Sequence, residues 1–359
     1  MYSSTARLCR SVLPLAVALV LSLPVQADES ADCAVASPDG AGVPCRTTLL
    51  STMTVSATLN PRALGEVASD VSVITREDMD RHLVSNLQDL VRYQPGISVT
   101  ATPGRFGESG FSIRGLGGNR VRIEVDGVPV SDSFSFGSML SAGRNTVDMD
   151  SIKRVEIVRG PASSLYGSDA LGGVVSYVTK DPVDYLQDGE SRFLSLKHQY
   201  DTVNRGNASS ATFAAGDERN AFLLLGTHRK AYQSNNTGRV DSADHSRTRP
   251  DPQQHRGNAL LGKYVHHADS GRIDRWVLDV QDNDTDTTLL SSIDQATASM
   301  RGIDRTRRGR LSFGQDWRSL DSVLADRVDW KAWAQKSRVE QRSEEHRVVG
   351  PGYQRHVDQ

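Results

Sequence analysis

After Leu23 the chain contains no run of the roughly 20 apolar residues that a membrane-spanning helix needs. Lipid offers no hydrogen-bond partners to the backbone, so such a chain can cross a membrane only as a closed β-barrel. Hydrophobic residues make up 37% of the sequence. A water-soluble protein and a barrel with a polar interior would both tolerate this value, so both classes stay open.

The N-terminus predicts export from the cytoplasm. Arg7 and Arg10 precede an apolar stretch at 12–23, and small residues follow at 25–27. This is the arrangement of a secretory signal peptide, which we assign to residues 1–27. Residues 28–51 are rich in Ala, Gly, Ser, Pro and Asp and predict a flexible periplasmic tail.

Export changes the interpretation of the cysteines. Cys9 leaves with the signal peptide, so Cys33 and Cys45 remain as one pair in an oxidising compartment. A disulfide between them would close a short loop. Two free thiols in a flexible tail are the alternative.

Charge and motifs argue against a nucleic-acid partner and against catalysis. The 44 acidic and 42 basic residues leave no basic excess of the kind that nucleic-acid binders carry. The chain has no G-x-S-x-G, H-E-x-x-H or P-loop pattern, so we assign no catalytic and no metal site. Asp282, Asp284 and Asp286 imitate the start of an EF-hand, but Thr287 replaces the required Gly, and a solvated acidic loop is the better interpretation.

A compact α+β region is predicted from about Met53 to Asp181. A β-rich run at 67–74 leads to Thr75, a good N-cap with Asp78 three residues later. Apolar residues then recur at helical spacing on one face until Pro95 and Gly96 end the helix. Short β runs at 111–113, 121–125 and 155–158 follow.

After Pro182 the pattern changes to short segments that alternate apolar and polar residues. Long polar stretches at 233–256 and 283–308 separate some of them. This is the weak signature of a transmembrane β-barrel, although a soluble β-sandwich would show similar alternation. The alternating segments are Phe193–Tyr200, Ala221–His228, Ala259–His266, Ile273–Val280, Arg310–Trp317 and Val328–Ala334.

Four motifs in the compact region occur in order and at plausible spacing. They are Ile113-Arg114-Gly115, Val125-Asp126-Gly127-Val128-Pro129, the run from Ile152 to Pro161, and Leu165-Tyr166-Gly167. Together they resemble the plug domain of TonB-dependent outer-membrane receptors. The resemblance is close from about Met53 to Lys180. In the following strands it is limited to the alternation of apolar and polar residues.

The resemblance implies an α+β plug at 58–181, followed at 182–359 by the first strands of an antiparallel transmembrane β-barrel. Intact members of the family have 22 strands, whereas the residues after Lys180 suffice for about six to eight. We therefore expect a fragment or a truncated product. The segment Thr52, Met53, Thr54, Val55, Ser56 and Ala57 resembles the TonB box, which pairs by strand addition with the energy-coupling protein TonB.

Several plug-motif residues acquire roles from this resemblance. Arg114, Arg154, Glu156 and Arg159 would be costly if buried alone, so we expect them to pair across the plug–barrel interface. Positive φ or close backbone approach is expected at the motif glycines. These glycines are Gly115, Gly127, Gly160 and Gly167. Asp126 and Tyr166 are the remaining residues that we assign to the plug motif.

Within the family, the run Asp169–Thr179 resembles the haem, haemoglobin and transferrin receptor branch. Siderophore receptors more often carry Asn-Ile where Ser176-Tyr177 stands. Some relatives grip haem with a plug-loop His, which 131–145 lacks, so we assign no axial ligand. Phe134, Phe136 and Met139 offer an apolar surface to a porphyrin or pack the plug.

The sequence thus predicts an energy-coupled importer in the outer membrane of a Gram-negative bacterium, and no enzyme. Haem is a transported ligand rather than a catalytic cofactor. The expected partners are TonB, haem or a haem-carrying protein, and outer-membrane lipid. A siderophore or metal-chelate receptor is one alternative, and a non-transporting periplasmic plug-like module is another. His255, His266 and His267 remain open between solvated residues and ligands of a metal or haem iron.

Overall fold

The computed structural model describes residues 53–54, 62–63, 69–102, 104–136, 140–186, 189–318, 325 and 327–358. The predicted signal peptide, the tail and both tail cysteines lie outside these residues. So do Thr52 and Val55 to Ala57 of the TonB box-like segment.

Three short α-helices are α1 (Arg76–Arg81), α2 (Leu87–Val91) and α3 (Ser163–Tyr166). The strands before residue 180 are β1 (Met53–Thr54), β2 (Arg62–Ala63), β3 (Asp70–Thr75), β4 (Ile97–Thr102), β5 (Gly107–Ile113), β6 (Leu116–Gly117), β7 (Val121–Val125), β8 (Val128–Pro129), β9 (Phe134–Phe136), β10 (Leu140–Ala142), β11 (Ile152–Arg159) and β12 (Gly173–Thr179). The later strands are β13 (Arg192–Asp201), β14 (Gly206–Gly216), β15 (Asn220–Tyr232), β16 (Gln253–His267), β17 (Arg272–Thr288), β18 (Thr297–Arg318), β19 (Arg327–Arg347) and β20 (Tyr353–Asp358).

The part from Ser69 to Leu186, here called the plug, is built on a five-stranded sheet of order β3-β11-β12-β7-β8. Strands β12 and β7 run parallel, and the other neighbours are antiparallel. Met79, Leu90, Ile113, Ile157 and Tyr177 are buried in its core, where helices α1 and α2 and strand β5 contribute side chains. The predicted short β runs lie within β5, β7 and β11.

The prediction of one continuous helix after Thr75 is wrong. Leu83 has φ 51° and is exposed, so the chain turns there and starts a second helix. Asn86 caps α2 by accepting a hydrogen bond from the Asp89 N–H at 2.8 Å. An N-cap competes well with helix continuation, which the apolar spacing alone does not reveal.

The predicted N-cap at Thr75 is confirmed. Its hydroxyl accepts from the Asp78 N–H, and the Asp78 carboxylate accepts from the Thr75 N–H, both at 3.2 Å. We expect Thr75→Ala to lower the free energy of unfolding by about 1 kcal/mol, because the Asp78 N–H loses the hydroxyl oxygen that accepts from it. Urea unfolding of the full chain measures this, with Thr75→Ser as the control that should stay close to wild type. Equal stability of the Ala and Ser variants would contradict the prediction.

Strands β13 to β20 form one eight-stranded antiparallel sheet, here called the wall, in which each strand pairs with the next along the chain. All six alternating segments of the sequence lie in its strands. The alternating pattern does not predict β14, whose residues are mostly small or hydroxylated, or β20. Most of the polar stretch at 283–308 is strand, because β17 continues to Thr288 and β18 begins at Thr297.

The two faces of the wall differ in what they contact. Leu223, Leu225, Leu261 and Val277 are buried on the face toward the plug. Side chains of the opposite parity, such as Leu224, are partly exposed on the other face. In the described part of the chain, no helix has both the length and the hydropathy to cross a membrane.

Candidate functional site at the plug–wall interface

The first ion-pair cluster between plug and wall is centred on Asp126, in the turn between β7 and β8. Arg310 of β18 lies 3.2 Å from its carboxylate and also donates to the Val125 carbonyl oxygen. Thr179 donates to the same carboxylate from its N–H at 2.9 Å and from its hydroxyl at 2.7 Å. Lys331 of β19 donates to the Asp126 carbonyl oxygen. One short turn is therefore held by two wall strands.

The Arg310 guanidinium is itself buried, with a relative exposure of 1%. It lies 3.2 Å from Asp279 as well, and Asp279 pairs with Arg308 at 2.7 Å. The two arginines thus share two carboxylates inside the interface. Such buried charges are tolerated only when each has a partner.

The electrostatics of Asp126 make this cluster sensitive to acid. Burial raises the pKa of its carboxyl, but Lys263, Arg310 and Lys331 together outweigh burial and hold the pKa well below the usual 3.8. A carboxyl with a lowered folded-state pKa stabilises the fold above its unfolded pKa, and this contribution is lost as pH falls through the folded pKa.

We therefore expect plug stability to fall as pH drops below about 4, the ordinary range of an aspartate. Asp126→Asn should be less stable than wild type at pH 7 but should show a shallower loss below pH 4. The measurement is the urea midpoint between pH 3 and pH 7, and parallel curves for the two proteins would count against this role of Asp126.

A second cluster joins the short turn Met149–Ser151 to strands β13 and β15. Arg229 contacts Asp148 at 2.9 Å and Asp150 at 2.7 Å, and Lys197 contacts Asp150 at 2.8 Å. Burial raises the pKa of Asp148. Burial also acts on Asp150, but Arg229 and Lys197 outweigh it and lower the pKa of that carboxyl. The Thr227 hydroxyl donates to Asp148 at 3.0 Å.

A third cluster lies where the plug leads into the wall. Lys263 of β16 is buried and contacts Asp181 at 3.0 Å. Its ammonium group also donates to the Thr179 carbonyl oxygen at 3.2 Å. Arg275 lies 3.6 Å from the other oxygen of Asp181. Burial acts to raise the pKa of Asp181, but the two cations outweigh it and lower the pKa.

The turn between β4 and β5 is clamped to the wall through Arg105. This side chain is 6% exposed and contacts Asp304 through two nitrogens, both at 2.7 Å. It also donates to the Ser343 hydroxyl at 2.6 Å and to the Arg342 carbonyl oxygen at 2.9 Å. The Gln253 amide donates to the Arg105 carbonyl oxygen at 3.0 Å. Strands β16, β18 and β19 therefore all hold one plug turn.

Gly302 makes room for the Arg105 side chain. A Cβ at this position would lie 2.6 Å from the Arg105 Cζ. We expect Gly302→Ala to displace the guanidinium and to speed amide hydrogen exchange in 104–113 by about tenfold or more, because Asp304 would lose its partner. Hydrogen exchange with mass spectrometry measures this. Gly309→Ala on the same strand has open space and is the matched control. Equal exchange in both variants would show that the clamp does not hold the turn.

A cavity of about 380 Å³ lies between this clamped turn and the inward face of the wall. Its wall lining is rich in amides and hydroxyls, including Gln281, Asn283, Thr285 and Thr306. His255 also faces it and hydrogen-bonds the Thr285 hydroxyl at 3.0 Å. Such a lining suits water or a hydrogen-bonding solute better than an apolar ring.

Glu108 connects the cavity to the plug interior. Its carboxylate accepts from the N–H groups of Leu87 and Gln88 at 2.9 and 3.1 Å, which caps the start of α2. Burial raises its pKa despite these hydrogen bonds. Since Glu108 is three residues from Arg105, the clamp and the helix cap lie on one short segment.

Of the motif charges expected at the interface, the structure places most within the plug. Arg114 and Arg159 both pair with Asp70, at 2.8 and 2.9 Å, so the prediction that they pair with the wall is wrong. The reason is strand register, which sets Asp70 opposite Arg159 on β3 and β11. Arg154 pairs with the buried Glu156 two residues away at 2.8 Å.

Other predicted site residues have local roles. The backbone φ is positive at all four motif glycines, Gly115, Gly127, Gly160 and Gly167. The Tyr166 carbonyl oxygen accepts from Arg122, whose guanidinium lies 5.4 Å from the Tyr166 ring centroid. Of the TonB box-like segment, Met53 and Thr54 form β1 and pair with Ala63 and Arg62. Phe134 is about half exposed, and the side chains of Phe136 and Met139 lie outside the described residues.

The prediction of an acidic loop at Asp282, Asp284 and Asp286 is wrong, because all three lie on strand β17. Asp282 pairs with Arg307 at 3.1 Å, Asp284 pairs with Arg305 at 3.2 Å, and Asp286 pairs with Arg301. The histidines form no cluster with a metal-binding arrangement among the described residues. His266 instead hydrogen-bonds Asn220 at 2.9 Å.

An α+β domain held by buried ion pairs against a long antiparallel sheet is the arrangement expected of a plug and the first strands of a β-barrel. Residues 63–174 match the family model described as TonB-dependent Receptor Plug Domain. This part of the chain is therefore a TonB-dependent receptor plug domain, as its motifs predicted.

Curated proteins of similar sequence add to this match, and the longer of the two alignments reaches into the wall. The chain is 30% identical over 334 residues to the Hemoglobin-haptoglobin utilization protein B of Neisseria meningitidis serogroup C, covering 79% of this chain and 40% of that protein. It is 35% identical over 195 residues to the Transferrin-binding protein A of Haemophilus influenzae, covering 52% of this chain and 21% of that protein. The chain thus spans less than half the length of these relatives.

Solved structures agree on the fold. The ferric yersiniabactin uptake receptor FyuA of Yersinia pestis superimposes with a TM-score of 0.54 at 14% identity, covering 82% of this chain and 51% of that one. A double mutant of the Serratia marcescens hemophore receptor HasR, in complex with its hemophore HasA and heme, gives 0.51 at 17% identity, covering 81% and 48%. The plug followed by barrel strands is therefore confirmed as the fold of the chain.

Proposed function

We propose that the chain is the plug and first barrel strands of a receptor that imports an iron source across the outer membrane. The observation that carries this proposal is the interface itself. Three carboxylate clusters and the Arg105 clamp hold the plug to the wall, beside one apolar contact in which Tyr185 and Leu186 pack on the inward face of the wall. Water can replace such contacts one by one, so a plug held in this way can be rearranged under load.

Haem, or haem taken from haemoglobin, is the cargo that we favour. Relatives at 30 to 35% identity carry names that refer to haemoglobin, its haptoglobin complex or transferrin. The solved siderophore receptors with TM-scores above 0.5, at 13 to 14% identity, support the fold and do not bear on the cargo. The run Asp169–Thr179 supports the same branch. Haem enters as cargo and does no chemistry in the chain.

Energy coupling would act through the segment 52–57. Strand addition by TonB uses backbone hydrogen bonds, and a short extended segment before the plug is suited to it. Pulling on this segment would reach β3, whose register with β11 joins it to the centre of the plug sheet. The expected order is binding outside, exposure of the segment, and opening of a path past the plug.

Growth on defined iron sources tests the proposal. In the organism that carries the gene, its disruption should abolish growth on haemoglobin as the sole iron source but should leave growth on a ferric siderophore unchanged. Loss of growth only on a siderophore would favour the metal-chelate alternative. Unchanged growth on every iron source, with the product in the periplasm, would favour the plug-like module that binds TonB without transport.

A further inference from the structure

The turn between β4 and β5 both lines the cavity and is fixed in place by two of its own side chains. Residues 105–108 all line the cavity, and so do residues 85–86, which directly precede helix α2. Arg105 holds the turn to the wall, and Glu108 holds it to the start of α2. A solute that enters the cavity therefore meets both partners of the contact between Glu108 and α2.

One route from this turn to the edge of the plug sheet runs through α2. Glu108 accepts from the first two N–H groups of the helix, and the helix ends at Val91. Gln94 follows, and its N–H donates to the Val91 carbonyl oxygen at 2.9 Å. The Gln94 side-chain oxygen accepts from Arg159 at 3.0 Å, and Arg159 donates to Asp70 at 2.9 Å. Helix α2 and this series of hydrogen bonds thus join the turn to Asp70.

A second route follows strand β5. The strand begins at Gly107, within the turn, and ends at Ile113. Arg114 comes next, and its N–H donates to the Gly96 carbonyl oxygen at 2.8 Å. Its guanidinium donates to the second carboxylate oxygen of Asp70 at 2.8 Å. The two routes therefore converge on Asp70, with one route on each carboxylate oxygen.

Asp70 lies at the N-terminal end of the plug sheet. It is the first residue of β3, and the TonB box-like segment 52–57 precedes that strand in the chain. Strand β3 stands first in the order of the plug sheet and has β11 as its neighbour there. A strand at the edge of a sheet is held by fewer ladder hydrogen bonds than a central one. Strand β3 is therefore easier to loosen than β11, β12 or β7.

We propose that Asp70 couples the cavity to the segment 52–57: a solute that displaces the β4–β5 turn breaks the contacts of Asp70 and loosens strand β3. Arg105 and Glu108 are positioning residues in this coupling, because they fix the turn. The proposal rests on the import function proposed above and names the residues that report occupancy. Coupling between two sites requires an element with two arrangements, which here are the turn bound to the wall and the turn released.

Hydrogen exchange of the full chain in detergent tests this coupling without cargo, because a substitution can release the turn instead. Arg105→Gln removes the contact of two guanidinium nitrogens with Asp304. It should speed exchange at 70–75 by at least about fivefold, the lower end of typical coupling between distant sites. Exchange at 121–125, in β7 of the same sheet, should stay within about twofold of wild type. A rise of equal size at 121–125 would mean general loosening of the plug and would overturn the proposal.

The matched control is Gln341→Ala. Gln341 lines the same cavity and holds Ser141 of β10 through two hydrogen bonds, both of 3.0 Å. Its loss releases a plug strand that lies on neither route, so exchange at 70–75 should stay within about twofold of wild type. Equal effects of Arg105→Gln and Gln341→Ala at 70–75 would contradict the coupling, because release of any plug segment from the wall would then reach β3.

Asp70→Ala removes the point where the routes meet, and its half-exposed side chain makes the substitution tolerable. In this background, adding Arg105→Gln should change exchange at 70–75 by less than about twofold. A fivefold effect that persisted there would show that the signal bypasses Asp70. Glu108→Ala alone should give a smaller rise at 70–75 than Arg105→Gln, because the β5 route remains. Since no cargo is present, refutation of the coupling leaves the import proposal standing, and growth on iron sources decides that proposal separately.

Discussion

A Gly173→Ala variant is expected to lose the central sheet of the plug while the wall stays folded. Gly173 has φ 146°, a conformation that L side chains rarely adopt. A Cβ there would collide with the Val158 carbonyl oxygen of β11 and would lie 2.9 Å from the Ile113 Cδ1. A backbone strand cannot yield as a flexible side chain does, so we expect a cost of about 4 kcal/mol or more. Hydrogen exchange of 121–125 and 173–179 measures it.

Gly110→Ala is the matched control within the plug. Gly110 lies on β5, and a Cβ there would meet only the Ile123 Cδ1 at 3.8 Å, an ordinary contact. Its exchange should stay within about threefold of wild type, because a Gly to Ala change at an unstrained position is mild. If Gly173→Ala were as well protected as Gly110→Ala, the strain assigned to Gly173 would be wrong.

The plug was predictable because its signals are local. The Thr75 cap, the short β runs and the four motifs each depend on a few neighbouring residues. The break at Leu83 was missed because the apolar spacing continues across it, and only the Asn86 cap reveals the second helix. In the wall, alternation identified strands with large apolar residues but not β14, whose residues are small.

The interface was less predictable, because its partners are far apart in sequence. Asp126 and Arg310 are separated by 184 positions, and Asp148 and Arg229 by 81. No periodicity links such pairs. The sequence did hold one usable signal for the second cluster, namely two aspartates at 148 and 150 immediately before the buried strand β11. Arg105 offered none, since a turn arginine is normally solvated.

The observed interface changes what the plug motif charges do. Arg154, Glu156 and Arg159 stabilise the plug sheet, and the wall is contacted by turn residues instead. A plug that keeps its own charges paired can leave the wall without exposing new unpaired charges in its core. The binding to the wall then depends on a few separable contacts, each of which can be removed by substitution.

Arg310→Met should have the largest effect of any single wall substitution in the Asp126 cluster. Met fills a similar volume but leaves Asp126 and Asp279 with one cation fewer between them. Removing one partner of a buried pair costs about 3–5 kcal/mol. If this cost falls on docking of the plug, exchange of the β7–β8 turn at 125–129 should rise by about a hundredfold or more. Hydrogen exchange of the full chain in detergent at pH 7 measures it.

Arg301→Met on the same strand is the control, because its ion pair with Asp286 is largely exposed and faces away from the plug. Exposed pairs contribute about 0–1 kcal/mol, so exchange at 125–129 should stay close to wild type. Adding Asp126→Asn to Arg310→Met should restore part of the protection, because an uncharged side chain no longer needs the lost cation. A double variant no better protected than Arg310→Met would mean that Arg310 acts through Asp279 and Arg308, and the clamp on the plug would then lie in the Asp148 and Arg105 contacts.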